Sequence, residues 1–297
     1  MDYTLNMSNI LLFGEVSSNV NGGISYLNGL IVPLDKKLDL VIHHRHFINN
    51  YQVIYSNAFA ANSDSKNEEG IYLGLTYQMN RHLKWSSFAD IYKSKWLRYQ
   101  INAPSKGSEF FSELSYQLNK TDLIYLRLKS MLGEKNNVLI NDVINFPYPF
   151  SKFNARLNIN YQITSQLKGE TRIATSTFSQ INTPTFYGSL IHQDIKWKHP
   201  SKQLSIQGRI SYFTIDDFQS RIYESENDVL YQYAVPVFQN KGMRYYALLE
   251  YRFNSTLTCW IKYAYTNYYN INKIGSGNEE IVGNKLEELR AQLRITF

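Results

Sequence analysis

The residues best suited to chemistry cluster in two stretches. In His43-His44-Arg45-His46 an extended backbone would place His43 and Arg45 on one face and His44 and His46 on the other. Two imidazoles at i and i+2 offer two metal ligands, yet no acidic or sulfur residue stands at a spacing that completes a set, so they read as polar residues of a strand wall. The second stretch holds Asp216, Asp217, Glu224, Glu226 and Asp228, which together with His192 supply the residue types of a hydrolase. Catalysis needs a nucleophile or activated water, a base and an oxyanion donor within about 3 Å of one another. The spacing brings no such set together. No catalytic, cofactor-binding or metal residue is assigned, and an enzyme is not expected.

The acidic stretch supports a structural reading better. Ser220-Arg-Ile-Tyr223, Glu226-Asn-Asp228 and the aromatic run from Tyr231 to Phe238 fall in the longest connection of the chain. Arg221, Tyr223 and Glu226, with Arg244 on the strand that follows, are expected to form a loop or lumen network of charge-assisted hydrogen bonds that pins this loop. In Asn67-Glu-Glu-Gly70 the glycine is expected to permit an unusual dihedral where a strand begins. Gly275-Ser-Gly277 does not lead into a helix and so presents no helix N-terminus to a phosphate.

The elements that must position these residues are strands. Aromatics reach 15%, with Tyr 24 and Phe 16, while hydrophobic residues are only 43% and the mean hydropathy is -0.37. A wall with lipid on one side and water on the other, girdled by Tyr and Trp, explains that mixture. Trp85, Trp96, Trp197 and Tyr263 are candidates for the girdle. Period-two alternation recurs: Phe153, Ala155, Leu157, Ile159 and Tyr161 oppose Asn154, Arg156, Asn158 and Asn160, and Tyr245, Ala247, Leu249, Tyr251 and Phe253 form another apolar face. No window approaches the roughly 20 apolar residues of a spanning helix.

Strands are predicted at Ile10 to Val16, Ile24 to Val32, Leu38 to Phe47, Ile71 to Met79, Leu83 to Tyr92, Phe110 to Leu118, Leu123 to Met131 and Phe153 to Tyr161. Others follow at Leu167 to Thr175, Tyr187 to Trp197, Leu204 to Tyr212, Tyr245 to Phe253, Leu257 to Tyr265 and Leu289 to Phe297. Tight polar turns, among them Asn80-Arg81, Asn119-Lys-Thr-Asp122 and Asn254-Ser-Thr256, alternate with long connections around Ala61 to Glu69, Trp96 to Ser108, Gly133 to Ser151, Thr214 to Lys241 and Asn267 to Asn284. The expected fold is all-β: an antiparallel transmembrane up-and-down barrel of about fourteen strands, with short periplasmic turns and long extracellular loops. Residues 1-297 read as one barrel domain.

The net charge of +6 is dispersed along strands and turns, so nucleic-acid contact is not expected from this segment. Lumen positions Arg156, Lys168, Arg172, Arg209 and Arg244 would favour anions in an open barrel, whereas Arg–Glu pairing would fill it. The single cysteine, Cys259, excludes an internal disulfide framework. Met1 to Leu12 carries no export-signal series, so either the sequence belongs to a longer precursor or the export reading fails. At the other end Leu289, Ala291, Leu293, Ile295 and Phe297 share one face, and an alternating strand ending on an aromatic resembles the C-terminal signal read by the outer-membrane assembly machinery.

Several strings, in order, resemble the barrel portion of helix-hairpin-helix-containing outer-membrane proteins of bacteroidete bacteria. They are Leu12-Phe-Gly-Glu15, the Arg45 strand, Asn67-Glu-Glu-Gly-Ile-Tyr-Leu-Gly74, Ala103-Pro-Ser-Lys-Gly107, Ser220-Arg-Ile-Tyr223 with Glu226-Asn-Asp228, Gly242-Met-Arg244 and Ile274-Gly-Ser-Gly277. The resemblance implies a C-terminal barrel piece of a longer product, or a shortened member, with any nucleic-acid role residing in a helix-hairpin-helix region outside this sequence. The expectation is an outer-membrane envelope protein, a scaffold or partner-binding barrel with a filled or narrow lumen; the alternative is a porin-like channel. Its expected partners are outer-membrane lipid, the assembly machinery and an envelope protein.

Overall fold

The computed structural model describes residues 1–19, 22–51, 58–63, 65–137 and 146–297. They fall into two compact units: Met1–Tyr116, Arg127–Phe153 and Ser179–Thr185 form unit 1, and Gln117–Leu126, Asn154–Phe178 and Phe186–Phe297 form unit 2. Among the described residues all regular structure is strand apart from two short 3-10 turns, Phe218–Ser220 and Gly277–Glu279. No helix among the described residues is long and apolar enough to cross a membrane, which says nothing about crossing by strands.

Unit 1 is a meander in which β1 (Asp2–Met7), β2 (Ile10–Ser18), β3 (Ile24–Asp35), β4 (Leu38–Phe47), β5 (Glu68–Gln78), β6 (Leu83–Ser94) and β7 (Ser105–Gln117) each pair antiparallel with the next. Strands β8 (Leu123–Asn136) and β9 (Pro147–Gln162) supply residues to both units. Unit 2 takes most of β10 (Leu167–Gln180), then β11 (Phe186–Lys198) and β12 (Leu204–Ile215). After β12 comes the small hairpin β13 (Ile222–Tyr223) and β14 (Val237–Phe238), and then β15 (Lys241–Arg252) and β16 (Leu257–Tyr268). A second small hairpin, β17 (Lys273–Ile274) and β18 (Ile281–Val282), precedes the last strand, β19 (Lys285–Ile295). The ladder in unit 2 runs β10, β11, β12, β15, β16, β19, again wholly antiparallel.

The described residues form 19 strands, 15 of them in the main sheet, against the roughly fourteen read from the sequence as bilayer crossings. The additional long-sheet member is β1, whose Tyr3, Leu5 and Met7 alternate with Thr4 and Asn6. Six residues fall short of a tilted crossing, so the pattern was too brief to register. Ser8, at φ 53, turns it directly into β2. The other additions are the two hairpins, which give the long connections internal structure. Among the described residues β1 pairs with β2 alone and β19 with β16 alone, so the closed ladder expected of a barrel is not part of the described structure.

Strand limits are also wider than expected. The predicted loop from Gly133 to Ser151 shrinks, because β8 continues to Asn136 and β9 starts at Pro147; the part at 138–145 lies outside the described residues. The loop predicted from Trp96 to Ser108 likewise gives up its last residues to β7. The tight turns fold by a shared device, in which one polar side chain accepts the amides that the hairpin leaves unpaired. Asn80 Oδ1 takes His82 N and Leu83 N at 2.9 and 3.0 Å. Asn254 Oδ1 takes Thr256 N and Leu257 N at 2.9 and 2.7 Å. At Asn119–Asp122 the Asp122 carboxyl is held below its ordinary range by its hydrogen bond from the Asn119 amide and by the backbone amide of Gln162.

The two faces of the sheet are partitioned opposite to those of a water-soluble β-protein. In unit 2, Ile206, Ile210, Tyr245, Leu249, Ile261 and Tyr263 are exposed, Ile210 at 60%. Their neighbours of opposite parity, Gln207, Arg209, Ser211, Arg244, Lys262 and Thr266, are buried. Unit 1 follows the same rule, with Ile71, Leu73, Ile91 and Phe110 exposed while His43, Arg45, Glu68 and Asp90 are buried.

Candidate functional site

In unit 2 the buried polar face carries a row of cations. Alternation puts Arg156 on β9, Arg172 on β10, Arg209 on β12, Arg244 on β15, Lys262 on β16 and Arg290 on β19. Such a row would repel itself in a low-dielectric setting unless anions were brought to it. They come from the chain between β12 and β15, where Glu224, Glu226 and Asp228 alternate with Ser225 and Asn227.

This segment lies on the cations as an acidic strap. Glu224, 1% exposed, receives Arg156 Nη2 at 2.5 Å on one oxygen and Arg172 Nη1 on the other. Ser225 contributes its carbonyl to Arg209 Nη1 at 2.7 Å. Glu226 takes Arg244 in bidentate fashion, at 2.7 and 3.0 Å, and Lys262 Nζ lies 3.4 Å from it. Asp228 is shared by Lys262, at 3.3 Å, and Arg290. Bidentate guanidinium–carboxylate pairs are among the strongest and most directional contacts available to side chains.

Apolar contacts hold the strap on either side of its acids. Ile222 and Phe238, paired in the β13–β14 hairpin, are buried against Ala174, Leu190, Phe213, Ile215 and Tyr268. Val229 packs with Tyr246, Leu248, Trp260 and Ala264. Close passage of the loop depends on Gly188, where a Cβ would stand 2.4 Å from the Ser220 carbonyl oxygen.

Other cations and acids of this face pair within the wall. Arg209 grips Asp194 at 2.5 and 2.7 Å, and Arg172 also reaches Glu170 at 2.8 Å and Asn158 at 2.6 Å. His192, 1% exposed, has Nδ1 3.2 Å from Asp194 Oδ1. Glu170, His192 and Asp194 bring ligand-type atoms within 4.8 Å of one another. The guanidiniums on both carboxylates place positive charge where a cation would have to sit, so the trio reads as part of the ion-pair network.

Unit 1 has its own buried centre. Arg45, fully buried, donates to Glu68 at 2.5 Å and to Asp90 at 2.8 and 3.0 Å. Glu68 in turn accepts the backbone amides of Ala61 and Asn62 at 2.8 and 3.0 Å, tying down the connection before β5. Gly70 is needed here for space: a Cβ would lie 2.7 Å from Arg45 Cζ. It is absent from the residues with positive φ, where Asn67 appears instead at φ 51, so the expected dihedral role belongs to Asn67. The faces of the histidine run are as anticipated: His43 is buried beside Arg45, while His46 stacks on Tyr26 at 5.2 Å and approaches Glu69 at 3.8 Å.

The structure therefore brings together Glu226 and Arg244 of the expected network but keeps Arg221 and Tyr223 apart from them. Arg221 donates to the Tyr223 hydroxyl at 2.6 Å and lies 3.8 Å above the Phe218 ring, forming a local lock on the loop surface. The acids considered for hydrolysis have other partners: Asp216 accepts Tyr187 N at 2.9 Å and Asp217 caps the 3-10 turn through Gln219 N at 2.9 Å. Glu224, Asp228, Lys262 and Arg290 were not singled out as network members from the sequence. The period-two acids in a loop were the available signal, since an extended strap shows alternate side chains to one surface. Leu289, Ala291, Leu293, Ile295 and Phe297 are all exposed, and β19 ends at Ile295.

No protein-family model matches the chain, and no curated protein matches it. Among solved structures it is similar to OmpT, an outer membrane protein of Vibrio cholerae, at 10% identity and a TM-score of 0.43, over 98% of this chain and 99% of that one. It is also similar to a FadL homologue of Pseudomonas aeruginosa at 11% identity and a TM-score of 0.36, over 92% of this chain and 76% of that one. Likenesses this weak carry no argument, and the functional reading rests on the chain's own geometry.

Proposed function

We propose that this chain is an outer-membrane β-barrel of the bacterial envelope whose lumen is filled by its own acidic strap, so that it serves as a scaffold or partner-binding barrel instead of an open channel. One observation carries the membrane reading: large apolar side chains cover the exposed face of the strands while guanidinium, ammonium and carboxylate groups occupy the buried face. Burying a Leu or Ile side chain gains about 1.5–3 kcal/mol, and soluble monomers seldom leave a contiguous apolar surface beyond a few hundred Å². Hydrocarbon removes that penalty. The exposed aromatics near the short turns, Tyr77 and Tyr116 in unit 1 and Tyr251 and Phe253 in unit 2, suit the membrane interface.

The strap supports the filled-lumen reading, since arginines that would attract anions in an open channel already hold its carboxylates. The exposed alternating face of β19 serves as the recognition strand for outer-membrane assembly machinery, and the long-loop side offers the surface for an envelope protein partner. Refolding in outer-membrane-like lipid, followed by heat-modifiable gel migration and planar-bilayer recording, tests the reading. A folded, inserted and silent protein is expected. Stepwise conductance would favour the porin-like alternative, and failure to insert would overturn the membrane assignment.

A further inference from the structure

Of the cations on the polar face of unit 2, those that meet the strap or Asp194 are spoken for. Lys168 and Lys196 are not. They stand directly opposite each other in the β10–β11 register, and among the described residues neither has a carboxylate within ion-pair distance. Like charges facing each other across strands destabilise a sheet. Two carboxylates line the same cavity, but Glu170 is held by Arg172 and Asp194 by Arg209, and Glu250 acts on Lys196 only from beyond ion-pair distance.

The lysine pair lines this cavity, of about 290 Å³, on the short-turn side of the strap. Asn160, Gln162 and Gln207 add amide groups to the lining, and Asn227 and Tyr246 border it from the strap side. A separate cavity of about 480 Å³ lies at the turn beyond it, lined by Lys198, Lys202, Arg252 and Glu250. Uncompensated ammonium groups, neutral hydrogen-bond donors and a concave surface together make an anion site.

We infer that the cavity between Lys168 and Lys196 binds a small oxyanion, phosphate or a phosphomonoester group, whose charge neutralises the opposed ammonium pair. The site is independent of the lipid-facing surface. It therefore stands or falls separately from the membrane reading.

The test uses the full chain folded in neutral detergent micelles, with inorganic phosphate as probe, thermal melting and phosphorus NMR line broadening as readouts, and chloride at matched ionic strength as control. Phosphate is expected to raise the melting temperature and to broaden saturably with the native chain. K168Q/K196Q is expected to weaken binding about tenfold or more, while melting no lower than the native chain in the absence of phosphate, since the repulsion has been removed. K202Q, at the exposed turn, keeps native affinity. Displacement of phosphate by water-soluble glycerol phosphate assigns a free anion, and displacement by phosphatidylglycerol alone assigns a lipid headgroup; either supports the site. Equal phosphate affinity in the native chain and K168Q/K196Q, or an equal effect of chloride, overturns it.

Discussion

Arg45 in unit 1 and Arg244 in unit 2 are both buried guanidiniums on the polar face of a strand, yet their counter-charges come from different kinds of place. Arg45 is answered by Glu68 and Asp90, which belong to neighbouring strands β5 and β6. Arg244 is answered chiefly by Glu226, which belongs to the strap, with Glu288 of β19 in support. The first arrangement is a wall that completes itself. The second is a wall whose charge is completed only when a loop lies down on it. That difference locates stability in one region and a removable closure in the other.

Removing the closure has the largest expected effect. In E224Q/E226Q/D228N the strap loses its charges while the wall keeps its cations, so a silent protein should become conducting, with anions preferred, and residues 225–236 should become sensitive to protease. An unchanged, protease-resistant strap would contradict its electrostatic anchoring. In unit 1, R45A strands two buried carboxylates and should cost about 3–5 kcal/mol of stability without opening a conductance, as read from the urea midpoint of refolding in lipid. A conducting R45A protein would erase the distinction between the two regions.

A smaller effect is expected from G70A, which sets a methyl group against the Arg45 guanidinium, 2.7 Å from Cζ before relaxation. Overpacking of this kind costs about 1–3 kcal/mol. If Gly70 mattered for its backbone dihedral alone, replacement by alanine would leave the Arg45 contacts with Asp90 intact, and pairing R45A with G70A would show no coupling. Least of all is expected from R221A: its partner Tyr223 is exposed, and surface contacts of this type are worth about 0–1 kcal/mol.

Much of the strand pattern was legible because alternation is a local signal. The alternating runs at Tyr245 to Phe253 and Leu289 to Phe297 could each be read without knowing their neighbours, and the loop from Thr214 to Lys241 matched the gap between β12 and β15. Partner choice was not local. Arg156 and Glu224 stand 68 residues apart and Arg290 and Asp228 stand 62 apart, so only the fold could show which acid meets which base. Glu226 and Arg244, read as members of one network, are only 18 residues apart, one in the connection and one on the strand that follows it. Lys168 was read as one more lumen cation. What distinguishes it, an opposed lysine and no ion-paired acid among the described residues, is a property of register, which the strand pattern alone does not specify.

Spin labelling shows whether the exposed apolar face lies in hydrocarbon. With C259S as background, single cysteines introduced at Ile206, Ile210, Leu249 and Ile261 would be labelled with a nitroxide in lipid, and collision rates with oxygen and with a water-soluble nickel chelate compared. High oxygen and low nickel accessibility is expected at all of these positions. High nickel accessibility across them would place this face in water and rule out a hydrocarbon-facing wall.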